Sequence, residues 1–187
     1  MGSTLCFLIL KFNLMNLLLI LLCISTQTLI YDFNQESSPR DWRVVNDGVM
    51  GGLSLSQFEI NENGNGFFHG HVSLENNGGF ASVRHQPKRM KLEKETKFSI
   101  RVKGDGHAYQ LRVKSKLNEY HSYKFIFETT GEWQTISIPF NEMTPTFRGR
   151  DLNLPNFNGA SMEEIGFLIS NKKDQNFELE VDYIKAI

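Results

Sequence analysis

The sequence predicts an all-β fold, an antiparallel β-sandwich or jelly roll, and two observations carry that prediction. The first is an alternation of apolar and polar residues with a period of two, which is typical of strands with one buried face. The second is a series of Asn-Gly and Asp-Gly turn signals between the alternating runs. Fifteen phenylalanines and fifteen glycines among 187 residues also suit a sheet protein with tight turns.

About ten short strands are expected, and five alternating runs are the clearest of them. Their apolar positions are Phe98, Ile100 and Val102; Tyr109, Leu111 and Val113; Ile136, Ile138 and Phe140; Ile165, Phe167 and Ile169; and Phe177, Leu179, Val181 and Tyr183. Only 141–143 and 159–164 are predicted to hold a helical turn, and 147–158 is predicted to be one ordered loop. No linker divides the chain, so 29–187 is expected to form a single domain.

Residues 1–28 are predicted to be a signal peptide or a membrane anchor. Eleven residues, 14–24, are apolar apart from Asn16 and follow the positive charge of Lys11. This length matches a signal-peptide core better than a spanning helix, which needs about 20 apolar residues. Arg40 is the first arginine, whereas mitochondrial presequences are rich in arginine. The segment therefore predicts an exported or envelope-associated protein, with membrane association possible through the same residues.

The charge balance and the cysteines exclude several classes of function. Twenty basic and 21 acidic side chains give a net charge of −1, which argues against a nucleic-acid partner. Cys6 and Cys23 both lie in the targeting segment, so 29–187 can form no disulfide, thiolate nucleophile or cysteine-based zinc site. No catalytic residue or cofactor site is predicted, since no nucleophile elbow or phosphate-binding motif is present.

Two pairs of side chains are candidate binding groups. His69 and His71 would project from one face of a strand, but no third ligand can be chosen, and no metal site is predicted. Arg148 and Arg150 flank Gly149 and can present a guanidinium fork to a carboxylate or phosphate. The alternative is an internal salt bridge from this loop to Asp47 or Asp105. Trp42 and Trp133 are expected to pack in the core rather than stack on sugars.

Several strings of residues together resemble the complex I intermediate-associated protein family, collinearly over about 31–187. The strings are Trp42 with Asn46-Asp47-Gly48-Val49-Met50-Gly51-Gly52 and Ser54; Phe68-His69-Gly70; Asn77-Gly78-Gly79-Phe80-Ala81-Ser82 with Arg84; Gly104-Asp105-Gly106 with Tyr109; Gly131-Glu132-Trp133-Gln134; Ile138-Pro139-Phe140; Phe147-Arg148-Gly149-Arg150; Ile165-Gly166-Phe167; and Phe177-Glu178-Leu179. The family's domain is a galactose-binding-like jelly roll.

The resemblance implies a non-enzymatic assembly factor or chaperone for respiratory complex I (NADH dehydrogenase) that holds protein intermediates, and it makes a mitochondrial location the alternative to export. In that picture the loops 47–54 and 147–151 border one end of the sandwich and bind the protein partner. The residues implied are Asp47, Met50, Gly51, Gly52, Ser54, Arg84, Asp105, Arg148 and Arg150. Two other functions stay open: an exported carbohydrate-binding module, with sugar stacked on Trp42, Trp133, Tyr120 or Tyr123, and an uncharacterised glycosidase or lyase.

Overall fold

The computed structural model describes residues 27–187, apart from the side chains of Val49 and Met50. Nearly all of the predicted targeting segment therefore lies outside the described residues, but Thr28 already belongs to the first strand. The strands are β1 (Thr28–Asp32), β2 (Trp42–Asn46), β3 (Leu55–Ile60), β4 (Gly66–Val72), β5 (Ala81–His85), β6 (Lys97–Gly104), β7 (Ala108–Lys114), β8 (Ser122–Glu128), β9 (Gln134–Pro139), β10 (Thr144–Phe147), β11 (Arg150–Asp151), β12 (Glu164–Ile169) and β13 (Gln175–Ala186). Within 27–187, no helix has the length and apolar character needed to cross a bilayer.

The strands form two sheets packed face to face, which confirms the predicted antiparallel sandwich. One sheet has the order β3-β4-β13-β6-β9, with β1 also paired to β13. The other has seven strands in the order β11-β10-β8-β7-β12-β5-β2. Every pairing between these strands is antiparallel, as expected when neighbouring strands are joined by turns rather than by helical crossovers.

Aromatic rings fill much of the space between the sheets. Phe98 lies 4.6 Å from Phe140 and 5.8 Å from Phe157 between ring centroids, and all three are buried. Trp42 is 4 % exposed and packs on the same core, as predicted. The prediction is wrong for Trp133, which is half-buried and lies outside the core, where the guanidinium of Arg101 covers its ring at 4.7 Å.

The alternating runs fall in β6, β7, β9, β12 and β13, with Phe140 just after β9. Their predicted core-facing side chains are buried except for Ile136, which packs against the core but is only partly buried, and Tyr183. Between Val181 and Tyr183 the register of β13 shifts against β6, which marks a bulge. One extra residue in a strand moves every later side chain to the opposite face. Ile184 is therefore fully buried, while Tyr183, predicted to face the core, is half-buried.

The connections were predicted less well. A 3-10 helix at Phe140–Glu142 confirms the first helical turn. The second, at 159–164, is wrong, because Met162 instead forms an isolated bridge with Met90 and Glu164 begins β12. The loop 147–158 is interrupted by β11, which pairs with β10. Three further 3-10 helices, Pro39–Asp41, Asp47–Met50 and Glu75–Asn77, were not predicted.

The bulge leads to a direct test. We expect Ile184→Ala to lower the free energy of unfolding by about 2–4 kcal/mol, since it opens a cavity in the core. Tyr183→Ala should cost about 1 kcal/mol or less, because that ring is partly in solvent. Urea denaturation of both variants measures the difference. Equal losses, or a larger loss for Tyr183→Ala, would contradict the shifted register.

Candidate functional site

A buried carboxylate, Asp47, ties together two loops near one end of the sandwich. Its Oδ1 accepts a hydrogen bond from the backbone N–H of Ser54 at 3.1 Å, and its Oδ2 accepts one from the Ser54 hydroxyl at 2.5 Å. The same Oδ2 accepts from the backbone N–H groups of Gly79 at 2.7 Å and Phe80 at 3.2 Å. Asp47 is 1 % exposed, so these bonds replace its hydration.

The position of Asp47 explains why this set of bonds matters. Asp47 directly follows β2 of the seven-stranded sheet, and Ser54 directly precedes β3 of the other sheet. Gly79 and Phe80 end the return connection, from β4 back to β5. One carboxylate therefore joins two of the connections that cross between the sheets at this end, and we call this group of bonds the Asp47 clasp.

Two glycines leave the room that the Asp47 clasp needs. A Cβ at Gly52 would overlap the Asp47 carboxyl group and approach the Gly78 Cα to 2.8 Å. A Cβ at Gly78 would lie 2.6 Å from the Ser73 carbonyl oxygen and 2.8 Å from the Asp47 Oδ2. Gly51 ends the short helix in the left-handed region, with φ of 88°. Gly52 and Gly78 therefore leave the space in which the Asp47 carboxylate packs.

The predicted placement of the two candidate loops at one end of the sandwich is wrong. Asn46, which precedes Asp47, is paired with Ala81, and Ala81 with Ile169. Phe147 follows Thr146, which is paired with Ser122. Ser122 lies at the other end of the same sheet, because its neighbour Tyr123 pairs with Val113, and Val113 pairs with Ile165 at the opposite end of β12 from Ile169. Short-range sequence signals do not reveal which strand ends meet, because register across seven strands decides it.

Asp105 lies at the Asp47 end and also has a structural task. Its Oδ1 accepts a hydrogen bond from the Tyr109 hydroxyl at 2.9 Å, and its Oδ2 accepts one from the Glu178 N–H at 2.8 Å. Burial, followed by the negative charge of Asp105, raises the pKa of Tyr109 well above its usual range. Asp105 therefore fixes the buried tyrosine at the turn between β6 and β7.

Arg148 sits at the tip of a two-residue hairpin turn between β10 and β11. Arg148 and Gly149 both have positive φ, 49° and 77°, which is the combination of a type I′ turn. Asn or Asp is the usual residue at the first of these positions, and a long side chain there is uncommon. The predicted salt bridge to Asp47 or Asp105 is wrong: among residues 27–187 Arg148 forms no ion pair, and its guanidinium lies 5.3 Å from the Phe147 ring. Arg150 is exposed beside it, and its carbonyl accepts a hydrogen bond from the Thr146 hydroxyl at 3.0 Å.

Arg84 and Arg148 meet at a cleft of about 160 Å³ on the outer face of the seven-stranded sheet. The strands β5, β12 and β7 form its floor, and the turn between β10 and β11 forms part of its rim. Of the residues that the resemblance implied, only Arg84 and Arg148 line it. The side chains of Arg112, Glu164, Tyr120 and Phe147 also line the cleft. Sequence reasoning missed Arg112 and Glu164, whose only signal was their place on the polar face of an alternating run.

Of the three arginines that line the cleft, Arg84 and Arg112 have unequal partners. Arg84 lies 3.7 Å from Glu164 (Nη1 to Oε1), and Glu164 also accepts a hydrogen bond from Gln86 at 2.7 Å. Arg112 donates to the Gln110 side-chain oxygen at 3.2 Å. Burial, followed by the positive charge of Arg84, lowers the pKa of Arg112 to about 10. Burial also lowers the pKa of Arg84, against the opposing effect of Glu164.

An aromatic pair stands at the rim of the same cleft. Tyr120 is 62 % exposed, and its ring meets Phe147 edge-on at 5.2 Å between centroids. Among the four aromatic residues considered for sugar stacking, Trp42 is buried, Tyr123 packs against the core and Trp133 is covered by Arg101. Tyr120 is therefore the one of the four that presents most of its ring to solvent.

His69 and His71 project from the same face of β4, as expected, but each is engaged separately. His69 stacks on Phe67 at 4.4 Å and lies 3.7 Å from Glu59, while His71 lies 3.0 Å from Asp174. Within residues 27–187, no three His, Cys, Asp or Glu side chains are grouped so that they could hold a metal ion.

Comparison with known proteins connects this sandwich to one family. The profile of the complex I intermediate-associated protein 30 family matches residues 31–181. Complex I intermediate-associated protein 30, mitochondrial, of Mus musculus is 25 % identical over 180 residues, which cover 83 % of this chain and 54 % of the mouse protein. The probable homologous protein of Caenorhabditis elegans, also named as mitochondrial, is 27 % identical over 177 residues, covering 82 % and 52 %. The chain thus spans about half the length of these relatives.

The fold is also found in carbohydrate-binding modules. The family 11 module of a Clostridium thermocellum cellulase superposes with a TM-score of 0.65 at 15 % identity, covering 87 % of this chain and 94 % of the module. That module has also been solved with a β-1,3-1,4-mixed-linked tetrasaccharide. At this level of identity the likeness establishes a galactose-binding-like fold.

The Asp47 clasp predicts a pH-dependent loss of stability. Burial alone would raise the pKa of Asp47, but the hydrogen bonds from Ser54, Gly79 and Phe80 outweigh it and lower the pKa. A lowered pKa stabilises the fold above the unfolded-state pKa of about 4, and that stabilisation is lost as the pH falls through the folded-state value. We expect Asp47→Asn to cost about 3 kcal/mol at pH 7, a penalty that shrinks below about pH 4. Chemical denaturation between pH 3 and pH 7 measures it, and a penalty independent of pH would contradict the account.

Two glycines of the same loop provide a matched pair of variants. Gly52→Ala should destabilise the domain about as much as Asp47→Asn, since the new methyl group displaces the carboxylate. Gly48→Ala is the control, because nothing lies within 4 Å of a Cβ at that position. If both alanine variants melt at the same temperature, the Asp47 clasp does not depend on the space at Gly52.

Proposed function

The chain belongs to the complex I intermediate-associated protein 30 family, and we propose that it is a non-enzymatic assembly factor that binds protein intermediates of respiratory complex I. The observation that carries the proposal is the extent of the family match. It runs from β1 into β13 and therefore takes in both sheets, the Asp47 clasp and the cleft. Since the chain spans about half of the mouse and nematode proteins, the role of those longer proteins is carried over as a proposal.

The mechanism that we propose is stoichiometric binding and release. The partner would contact the outer face of the seven-stranded sheet, around the cleft between Arg84 and Arg148. Arginine and exposed aromatic residues, here Tyr120 and Phe147, are the types enriched at protein interfaces. Asp47 and Ser54 are buried, so we assign them the task of shaping their loop rather than of touching the partner.

The relatives also bear on the cellular location. Both the mouse and the nematode proteins are named as mitochondrial, which supports a mitochondrial location for this chain. The apolar segment 14–24 would then serve as a membrane anchor or a targeting signal near the enzyme being assembled. Export remains the competing prediction from the sequence, and imaging of a carboxyl-terminal fluorescent fusion of the full chain separates the two.

A carbohydrate-binding module is the second candidate, and one observation favours it. The exposed ring of Tyr120 stands at the rim of a cleft, and aromatic rings in such places stack on sugars. Titration with a β-1,3-1,4-mixed-linked tetrasaccharide, monitored by calorimetry, tests this function. Saturable binding that is lost in Tyr120→Ala would favour it over the assembly role.

The assembly role predicts a specific defect for Arg148→Ala. Arg148 is exposed and forms no ion pair with residues 27–187, so its loss should change the melting temperature by less than about 2 °C. Its loss should weaken binding of complex I intermediates by about tenfold, as is usual for an important interface arginine. The measurement is a cross-linked pull-down from native membranes with the tagged full-length protein, followed by quantification of respiratory-chain subunits.

Lys173→Ala is the matched control, because Lys173 is exposed in the turn between β12 and β13, at the Asp47 end of the sheet. It should leave recovery of the subunits unchanged. Recovery of envelope proteins alone, or of no respiratory subunit, would contradict the assembly role. A fall in melting temperature of more than about 8 °C for Arg148→Ala would show that the turn mainly stabilises the fold.

A further inference from the structure

Four cationic side chains form one row across the outer face of the seven-stranded sheet. Arg43 of β2 is paired with Arg84 of β5, and Arg84 with Gly166 of β12. Gly166 is paired in turn with Arg112 of β7, and Arg112 with Lys124 of β8. Directly paired residues point to the same face of a sheet. Five neighbouring strands spaced about 4.8 Å apart make the row about 19 Å long.

The row is only partly neutralised. Arg84 has Glu164 at 3.7 Å, and Lys124 has Asp151 at 2.6 Å between Nζ and Oδ1. Arg43 and Arg112 take part in no ion pair within residues 27–187. Like charges placed opposite one another on a sheet are destabilising. The repulsion between neighbours in the row is consistent with the lowered pKa of Arg112, to which the positive charge of Arg84 contributes after burial.

The middle of the row is open. Gly166 contributes no side chain between Arg84 and Arg112, whose backbones are two strand spacings, about 10 Å, apart. Both guanidinium groups line the cleft, so they can approach one acceptor from its two sides. A carboxylate suits this arrangement, because planar guanidinium groups bind it through paired hydrogen bonds.

The neighbours of the row favour a peptide carboxylate over a phosphate. Glu164 has a side chain that is 9 % exposed and lies in the same cleft. Its negative charge would oppose a dianionic phosphate more than a singly charged carboxylate. The rings of Tyr120 and Phe147 adjoin the row and offer contact to the apolar parts of a polypeptide.

We propose that the row Arg43, Arg84, Arg112 and Lys124 binds an acidic segment of the protein partner, with one carboxylate held between Arg84 and Arg112 above Gly166. This inference rests on the proposed function for the identity of the partner. It adds the chemistry of recognition: side-chain or terminal carboxylates on an extended stretch of polypeptide that crosses the strands.

The test is titration of the purified full chain with amidated hexaglutamate, followed by calorimetry. Hexaglutamine and inorganic phosphate serve as comparison probes. The Arg43→Gln/Arg112→Gln variant removes the two cations that have no acidic partner, and Lys91→Gln/Lys94→Gln removes two exposed cations elsewhere. The Arg43→Gln/Arg112→Gln variant should bind hexaglutamate about tenfold more weakly than the wild type. The Lys91→Gln/Lys94→Gln control should change the affinity by less than about twofold.

Two further measurements test whether binding is electrostatic and whether the row variant stays folded. Raising the ionic strength should weaken hexaglutamate binding to the wild type, and the row variant should melt at the same temperature as the wild type or higher, since repulsion is relieved. Equal binding by the two variants, or phosphate binding as tight as hexaglutamate, would overturn the proposal.

The same variants separate this inference from the assembly role. If the row variant loses hexaglutamate but still recovers complex I intermediates from native membranes, the row is not the partner's site, while the assembly role stands. If neither wild type nor variant recovers intermediates, the assembly role fails, and the titration alone decides whether the row binds carboxylates.

Discussion

The Asp47 carboxylate is the contact on which the arrangement of the two sheets depends at one end of the sandwich. It accepts four hydrogen bonds, and their donors lie on two of the connections that cross between the sheets there, β2–β3 and β4–β5. A buried charge is tolerated only when its hydrogen bonds replace water, so the loop must hold Ser54, Gly52 and Gly78 in place around it. The most recognisable string of the sequence, Asp47 to Ser54, is therefore explained by packing.

The polar groups at that end of the molecule serve the fold, and we propose that the partner binds elsewhere. The carboxylate oxygens of Asp47 and Asp105 both accept hydrogen bonds from donors within the domain. The cations, in contrast, are gathered on the outer face of the seven-stranded sheet, where Arg112 has only a neutral partner. On the other sheet, cations and acids are matched across strands, as for Arg101 with Asp182 at 2.5 Å and Lys103 with Glu180 at 3.6 Å. The two outer faces thus differ in what they leave available to a partner.

Local sequence patterns were sufficient to predict the fold class and most strands, because a strand with one buried face alternates apolar and polar residues with a period of two. They failed where long-range register decides. The bulge after Val181 places Ile184 in the core instead of Tyr183, and no residue of the alternating run in β13 predicts this bulge. The row of cations joins residues from positions 43 to 124, which no local motif can relate. The resemblance did name Arg84 and Arg148, but it could not show that they share a cleft with Arg112 while Asp47 lies at the opposite end.

The central claim is that partners of the assembly role dock on the outer face of the seven-stranded sheet. Site-specific photo-cross-linking in native membranes tests it most directly, with the cross-linking residue placed at Ile126 or at Leu55. Both side chains are exposed, at 53 % and 74 %, and they stand on the outer faces of opposite sheets. We expect respiratory complex I subunits to be captured from position 126 and not from position 55. Capture from position 55 alone would place the partner on the other sheet and contradict the account.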